Sequence, residues 1–149
     1  MFAWTNGEQL TLGVELKQKM VPVSKDQSAP VILEMLMFDN SGNPIYSNLL
    51  SKCWPTDALV IYVYDVTQKQ TFDSIPSWFE AVQEYIDRNY SGIIIANKID
   101  LTTRRVVFDN TGREFASKYK LKYCEISCKE NKNINEAVTL ITKQLSDNL

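Results

Sequence analysis

The sequence predicts an α/β fold in which a mainly parallel sheet lies between two layers of helices. From the middle of the chain onward, strand-like and helix-like segments alternate, which is typical of strand–helix units around a parallel sheet. Two of the strand-like segments are almost continuously apolar, as expected for strands that are covered on both faces. We expect residues 1–149 to form a single domain, because this length suits one hydrophobic core.

Strands are predicted at residues 13–23, 30–39, 58–66, 92–97 and 119–126. The segment between the first two, residues 24–29, is polar and turn-rich, so we expect these strands to form an antiparallel hairpin. The third and fourth strands read ALVIYVYDV and GIIIAN, and these are the two apolar runs. They are therefore expected at the centre of the sheet.

Helices are predicted where apolar residues recur at helical spacing. One covers about residues 71–89 and a shorter one about residues 110–118. The C-terminal stretch predicts an amphipathic helix with one apolar stripe, formed by Ile134, Ala137, Val138, Ile141 and Leu145.

The composition excludes several classes of function. With 16 Lys and Arg against 18 Asp and Glu, the chain has no overall field that would attract nucleic acid or an anionic membrane. The absence of histidine removes histidine-dependent catalytic triads and most zinc sites. The three cysteines, an odd number, indicate free thiols in a reducing compartment. No apolar run reaches the length of a membrane span, and no signal-peptide pattern is present, so we do not expect secretion.

Three polar loops directly follow predicted strands, at the edge where sheets of this kind bind ligands. They read DNSG at residues 39–42, NKID at 97–100 and EISCK at 125–129. In the second loop, the Asp100 carboxylate is suited to accept both the N1–H and the N2–H of guanine. The Asn97 amide could contact the guanine carbonyl edge or tie neighbouring loops, and the Lys98 stem could lie along the ring. A polar turn at the end of a strand is the alternative, since such a tetrapeptide is weak by itself.

With these loops, the chain resembles the Rab-type small GTPases. Residues 11–15 (TLGVE) are similar to the end of switch I, and residues 39–42 to the Asp-Thr-Ala-Gly of switch II. The YDVT at 64–67 is similar to a strand end of the family, and the SCK at 127–129 to its Ser-Ala-Lys. Order and spacing match from about Leu10 to the end of the chain.

The resemblance implies a three-layer P-loop NTPase fold and a set of ligand-binding residues. Those that would contact GTP or GDP are Asn97, Lys98, Asp100, Ser127, Cys128, Lys129, Thr11, Asp39 and Gly42. Thr11 and Asp39 would be metal ligands only if Mg²⁺ is bound. Asn43 stands where ordinary members place the Gln that orients the attacking water. Its side chain is one methylene shorter, so we expect a slow or inactive GTPase and assign no other catalytic residue.

The 149 residues contain no Gly-x-x-x-x-Gly-Lys-Ser/Thr motif. In the family, the first strand, this P-loop and the first helix all precede switch I, and we expect the fold to lack that unit. The P-loop amides hold the nucleotide phosphates, so the chain is expected to bind GTP weakly or not at all, without cofactor. The alternative is an active, GTP-hydrolysing Rab-like switch that uses GTP or GDP and Mg²⁺, with a P-loop encoded upstream.

The missing strand would lie between the strands predicted at residues 30–39 and 58–66. Its loss would leave unpaired, adhesive strand edges. We expect one of three explanations: a chain that is truncated or begins at a different start, a gap partly filled by residues 1–5, or direct pairing of the two strands.

A narrower resemblance is to the Rab-like small GTPase subunit of intraflagellar transport complex B. It rests on residues 21–23 (VPV), 38–42 (FDNSG), 50–54 (LSKCW) and 103–105 (TRR), and on a C-terminal SDNL that has no cysteine to prenylate. It implies an adaptor in ciliary transport, in the cilium or flagellum and the cytoplasm, without a direct membrane anchor. The implied partners are the small β-sandwich subunit and the coiled-coil subunits of complex B.

An apolar cluster after switch II is the candidate contact surface for such partners. It consists of Ile45, Tyr46, Leu49, Leu50 and Trp54. The alternative is that these side chains form the buried face of a switch II helix that caps the sheet.

Overall fold

The computed structural model describes residues 11–22, 32–46, 51–56, 58–86 and 91–146. The chain divides into two compact units, with the boundary after Thr56. Each unit is described by itself, and a single domain over residues 1–149 stays a prediction.

The first unit contains the predicted antiparallel hairpin. Strand β1, Val14–Pro22, pairs with β2, Ile32–Asn40, so that Val14 lies opposite Asn40 and Pro22 opposite Ile32. The turn predicted at residues 24–29 lies outside the described residues. Two short 3₁₀ turns follow, Pro44–Tyr46 and Ser51–Cys53.

The second unit contains a parallel sheet with the strand order β3-β4-β5. These strands are β3, Val60–Asp65, β4, Gly92–Asn97, and β5, Lys122–Glu125. The pairing places Asp65 beside Asn97, and Ala96 beside Glu125. The carboxyl ends of all three strands therefore lie at one edge, as predicted for a mainly parallel centre.

The described strands form two sheets, with the break between β2 and β3. The three explanations considered for the missing strand stay predictions.

Four helices are described: α1, Lys69–Asp73, α2, Ile75–Gln83, α3, Asp109–Lys118, and α4, Ile134–Ser146. The single helix predicted over residues 71–89 is wrong, because it is broken at Ser74. Pro76 explains the break: it has no N–H to donate to the Phe72 carbonyl, and its ring would clash with that carbonyl in a continuous helix. The C-terminal helix is confirmed, and Ile134, Ala137 and Ile141 of its predicted stripe are buried.

The core of the second unit has an aromatic layer on one face of the sheet. Tyr64 of β3 lies 5.0 Å from Phe72, measured between ring centroids, and Phe72 lies 5.4 Å from Phe115. Phe115 and Phe79 each lie 4.6 Å from Tyr119. On the other face, Ile93 and Ile95 are completely buried. Among the described helices, none is both long and apolar enough to cross a bilayer.

Candidate functional site

A pocket of about 250 Å³ opens at the carboxyl ends of β4 and β5. It is lined by Asn97, Lys98, Asp100, Leu101, Cys128 and Lys129. All but Leu101 are residues that the sequence predicts for base binding.

The Asp100 carboxylate is held by a neighbouring loop. The Ser127 hydroxyl donates to Asp100 Oδ1 at 2.6 Å, and the Glu130 N–H donates to Ser127 Oγ at 3.1 Å. Ser127 is fully buried. Within the described part of the chain, Asp100 Oδ2 has no hydrogen bond, so this oxygen is available to a ligand. The carboxylate is thus oriented before any ligand arrives.

The Asn97 side chain joins the two predicted base loops. Its Oδ1 accepts the Lys98 N–H at 2.7 Å and the Cys128 N–H at 3.3 Å. Of the two roles left open for this amide by the sequence, the described contacts correspond to the tying of neighbouring loops.

The Lys98 ammonium makes an ion pair that sequence reasoning missed. Its Nζ lies 2.8 Å from Asp65 Oδ2 at the end of β3, where Asp65 is only 9% exposed. Burial by itself would raise the pKa of the Asp65 carboxyl, but the nearby Lys98 ammonium and the hydrogen bonds from Thr67 outweigh this and lower the pKa. The predicted parallel strands could have indicated this ion pair. Neighbouring strands that end at Asp65 and Asn97 bring Asp65 close to Lys98.

The loop after β5 is closed on itself. Ser127 and Lys132 exchange two backbone hydrogen bonds, of 3.1 and 3.0 Å. Asn131 and Asn133 have φ angles of 53° and 58°, a left-handed conformation that Asn tolerates better than most residues. The Asn133 side chain donates to the Glu125 carbonyl at 2.9 Å and ties the start of α4 to the end of β5. Sequence reasoning missed Asn133.

A polar network joins the loop after β4 to β5. Arg105 Nη2 lies 2.5 Å from Glu125 Oε1, and the Tyr123 hydroxyl donates to the same oxygen at 2.7 Å. The hydroxyls of Tyr123 and Tyr64 are 3.3 Å apart. Burial would raise the pKa of Glu125, but the hydrogen bonds from Arg105 and Tyr123 lower it. The network therefore depends on an ionised Glu125.

The remaining predicted site residues belong to the first unit and are described apart from the pocket. The Thr11 hydroxyl donates to Asp39 Oδ2 at 3.5 Å. Gly42 and Asn43 are exposed. The Asn43 side chain accepts the Ile45 N–H at 3.1 Å, within its own turn.

These residues fit one part of a guanine nucleotide better than the rest. The pocket with its free Asp100 oxygen fits a base. Thr11 and Asp39 supply at most two Mg²⁺ ligands, and the described residues contain no group of three or more His, Cys, Asp or Glu that could hold a metal ion. The 149 residues also contain no phosphate-loop motif. The fit to the phosphates and to Mg²⁺ is therefore poor.

The apolar cluster after switch II is partly described. Ile45 is 78% exposed, Tyr46 is half-buried, and Leu49 and Leu50 lie outside the described residues. Trp54 is half-buried, and its indole N–H donates to Asn40 Oδ1 at 3.1 Å. Ile45 is thus a surface residue, whereas Trp54 also has a structural role.

Comparison with known proteins adds independent information. The model of the Ras family matches residues 3–147. The intraflagellar transport protein 27 homolog of Trypanosoma brucei brucei is 33% identical over 138 residues, which are 93% of this chain and 73% of that protein. The Ras-related protein RabF1 of Dictyostelium discoideum is 34% identical over 90% of this chain and 67% of its own length. Human Ras-related protein Rab-12 is 28% identical over 85% of this chain, and the match spans 50% of Rab-12.

Proposed function

Because the chain belongs to the Ras family, we propose that it is a Rab-like subunit of intraflagellar transport complex B. In this role it would act in ciliary transport, in the cilium or flagellum, by binding other proteins. The observation that carries the proposal is the 33% identity to intraflagellar transport protein 27 homologs over more than 90% of the chain. The motifs at residues 21–23 and 103–105 support it.

We further propose that protein binding, and not nucleotide turnover, is what this chain contributes. The pocket proposed for the base is present, but the 149 residues contain no phosphate-loop motif, which supplies most of the nucleotide affinity in the family. At the position of the water-orienting Gln, the Asn43 side chain is bound within its own turn. Weak or absent GTP binding follows for the 149-residue chain.

The proposed partners are the small β-sandwich subunit and the coiled-coil subunits of complex B. The proposed contact surface after switch II includes Ile45, a large apolar side chain that is 78% exposed and therefore accessible to a partner. Tyr46 and Trp54 would border the same surface; Leu49 and Leu50, which the sequence also indicates, lie outside the described residues.

A second candidate function is a GTP-hydrolysing Rab-like switch. The observation that favours it is the arrangement of Asp100, whose carboxylate Ser127 orients through Oδ1 while Oδ2 stays open to a donor of guanine. The similarity to Rab-12 and RabF1 also favours it. The two candidates differ in whether bound nucleotide is retained and hydrolysed.

Co-expression of the tagged chain with complex B subunits tests the first proposal. We expect the wild type to co-purify with them and Ile45→Asp to lose them. The matched control is Phe108→Asp, which changes a 61% exposed apolar residue in the second unit and should retain the partners. Circular dichroism verifies that both variants fold. A wild type that captures none of these subunits contradicts the proposal, and equal capture by both variants places the contact elsewhere.

A further inference from the structure

Two carboxylates, Asp65 and Asp100, and two lysines, Lys98 and Lys129, lie at or beside the base pocket. Lys98 and Asp100 both line it, and Asp65 binds the Lys98 ammonium from the end of β3. We propose that Asp65 is a positioning residue that holds the Lys98 ammonium away from Asp100, so that the Asp100 carboxylate stays free for the ligand. This inference deepens the proposed base site and rests on that assignment.

Asp65 is itself fixed in a single orientation. Its Oδ1 accepts the Thr67 N–H at 2.8 Å and the Thr67 hydroxyl at 2.7 Å. Its own N–H donates to the Thr71 hydroxyl at 3.0 Å. These bonds leave Oδ2 directed at Lys98, 2.8 Å from Nζ. A carboxylate that is nine-tenths buried needs a charged partner, and Lys98 provides it.

Lys98 has freedom that Asp65 lacks. The Lys98 side chain is 47% exposed, and a lysine stem can adopt many rotamers on a surface. Asp100 is two residues further along and lines the same pocket. Ser127 engages Asp100 Oδ1 but leaves Oδ2 open. Without the negative charge of Asp65, the free oxygen of Asp100 is the neighbouring anion in the pocket to which the ammonium would turn.

The Asp65 and Asp100 carboxylates would therefore have different roles. Asp65 neutralises Lys98 and orients its stem along the pocket, whereas Asp100 keeps an acceptor for the donor pair of a base. If Lys98 instead paired with Asp100, the ammonium would occupy the acceptor. Asp65 would therefore support base recognition without touching the base.

Zero-length cross-linking of the nucleotide-free chain tests this proposal. A water-soluble carbodiimide joins an amine to a carboxylate only where they are in contact, with loss of one water that peptide mass spectrometry detects. We expect the yield of the Lys98–Asp100 link to increase roughly two- to fivefold in Asp65→Asn. This range corresponds to the free energy of one exposed ion pair, here the new pair between Lys98 and Asp100. Asp65→Asn/Lys98→Met should abolish the link, which verifies its assignment to Lys98.

Asp73→Asn is the matched control, because it removes the carboxylate of another lysine pair, Lys69–Asp73. It should leave the Lys98–Asp100 link unchanged. An Asp65→Asn variant that folds and shows the wild-type yield overturns the proposal. If circular dichroism shows that this variant is unfolded, Thr67→Ala is the test variant in its place. It keeps the charges of Asp65 and Lys98 but removes the hydroxyl that donates to Asp65. We expect it to raise the yield of the Lys98–Asp100 link, by less than Asp65→Asn. A wild-type yield in Thr67→Ala would then overturn the proposal.

The test needs no nucleotide, so its outcome is separate from that of the base assignment. If Asp100→Ala leaves the interaction with GDP unchanged, the base assignment fails while the cross-linking result still decides the role of Asp65.

Discussion

Ser127 donates a hydrogen bond to Asp100, with 2.6 Å between Oγ and Oδ1. This bond links the loop after β5 to the loop after β4 and determines which Asp100 oxygen is free. Substitutions of Asp100 therefore test the base selectivity of the pocket.

Asp100 should determine which base the pocket accepts. Asp100→Ala removes two charge-assisted hydrogen bonds to guanine, each worth about 1.5–3 kcal/mol. Asp100→Asn should favour xanthine, because the Asn oxygen can replace Oδ1 beside Ser127 while its NH₂ group faces the pocket. NMR titration with millimolar GDP and xanthosine diphosphate measures both effects. Selectivity that is the same in all three proteins would show that the loop does not recognise guanine.

Gly112 should be required for the packing of α3 on the sheet. A Cβ at this position would lie 2.5 Å from Tyr123 Cε2 and 2.6 Å from the Tyr64 hydroxyl oxygen. Alanine is favoured over glycine within a helix by about 1 kcal/mol, but overpacking costs about 1–3 kcal/mol. We therefore expect a net loss in the free energy of unfolding, measured by urea denaturation.

Gly42→Ala is the control for this prediction, since a Cβ there has no neighbour within 4 Å. It should change the free energy of unfolding little. A Gly112→Ala variant more stable than the wild type would mean that the two tyrosine rings move aside at no cost.

Glu125 should make stability depend on acidic pH. Its folded-state pKa is lowered, so its contribution is complete above the unfolded pKa of about 4.3 and is lost as the pH falls through the folded value. Glu125→Gln should cost about 1.5–3 kcal/mol at pH 7, because it removes a charged partner of Arg105. The difference between wild type and variant should shrink towards pH 3. Urea denaturation at both pH values measures it, and a difference independent of pH would argue against an ionised Glu125.

Cys128 and Cys124 should react with iodoacetamide slowly at neutral pH and faster as the pH rises. Burial raises the pKa of the Cys128 thiol, although a hydrogen bond with Asn97 opposes this. Burial and the Glu125 charge raise the pKa of Cys124 to about 11. The thiolate is the reactive form, so we expect Cys128, which lines the pocket, to be modified before Cys124. Peptide mass spectrometry gives the order, and the reverse order would contradict the stronger effect of burial on the Cys124 thiol.

Strand periodicity predicts most of the sheet, because its signal is local. GIIIAN is a strand with the predicted bounds at residues 92–97, and the predicted hairpin pairs β1 with β2. The helix after β3 is mispredicted because hydrophobic spacing continues across Ser74 while Pro76 interrupts the backbone. A pattern of side chains does not report the loss of one backbone donor.

The pocket is predicted only in part, for a related reason. Motif order brings together Asn97, Asp100 and Cys128, because these residues follow neighbouring strands. Two contacts beside the pocket, from Asp65 to Lys98 and from Asn133 to the Glu125 carbonyl, were not predicted from the motifs. These contacts depend on strand register and on a left-handed backbone conformation, both of which are set by tertiary packing.

The most direct test of the account is the nucleotide content of the chain purified together with complex B subunits. Acid extraction and chromatography give the moles of guanine nucleotide per mole of chain. We predict that the complex forms and carries far less than one nucleotide per chain, because it is held by protein contacts and the 149 residues contain no phosphate loop. One tightly held GTP or GDP per chain, with release of phosphate over time, would contradict this and establish a GTP-hydrolysing switch.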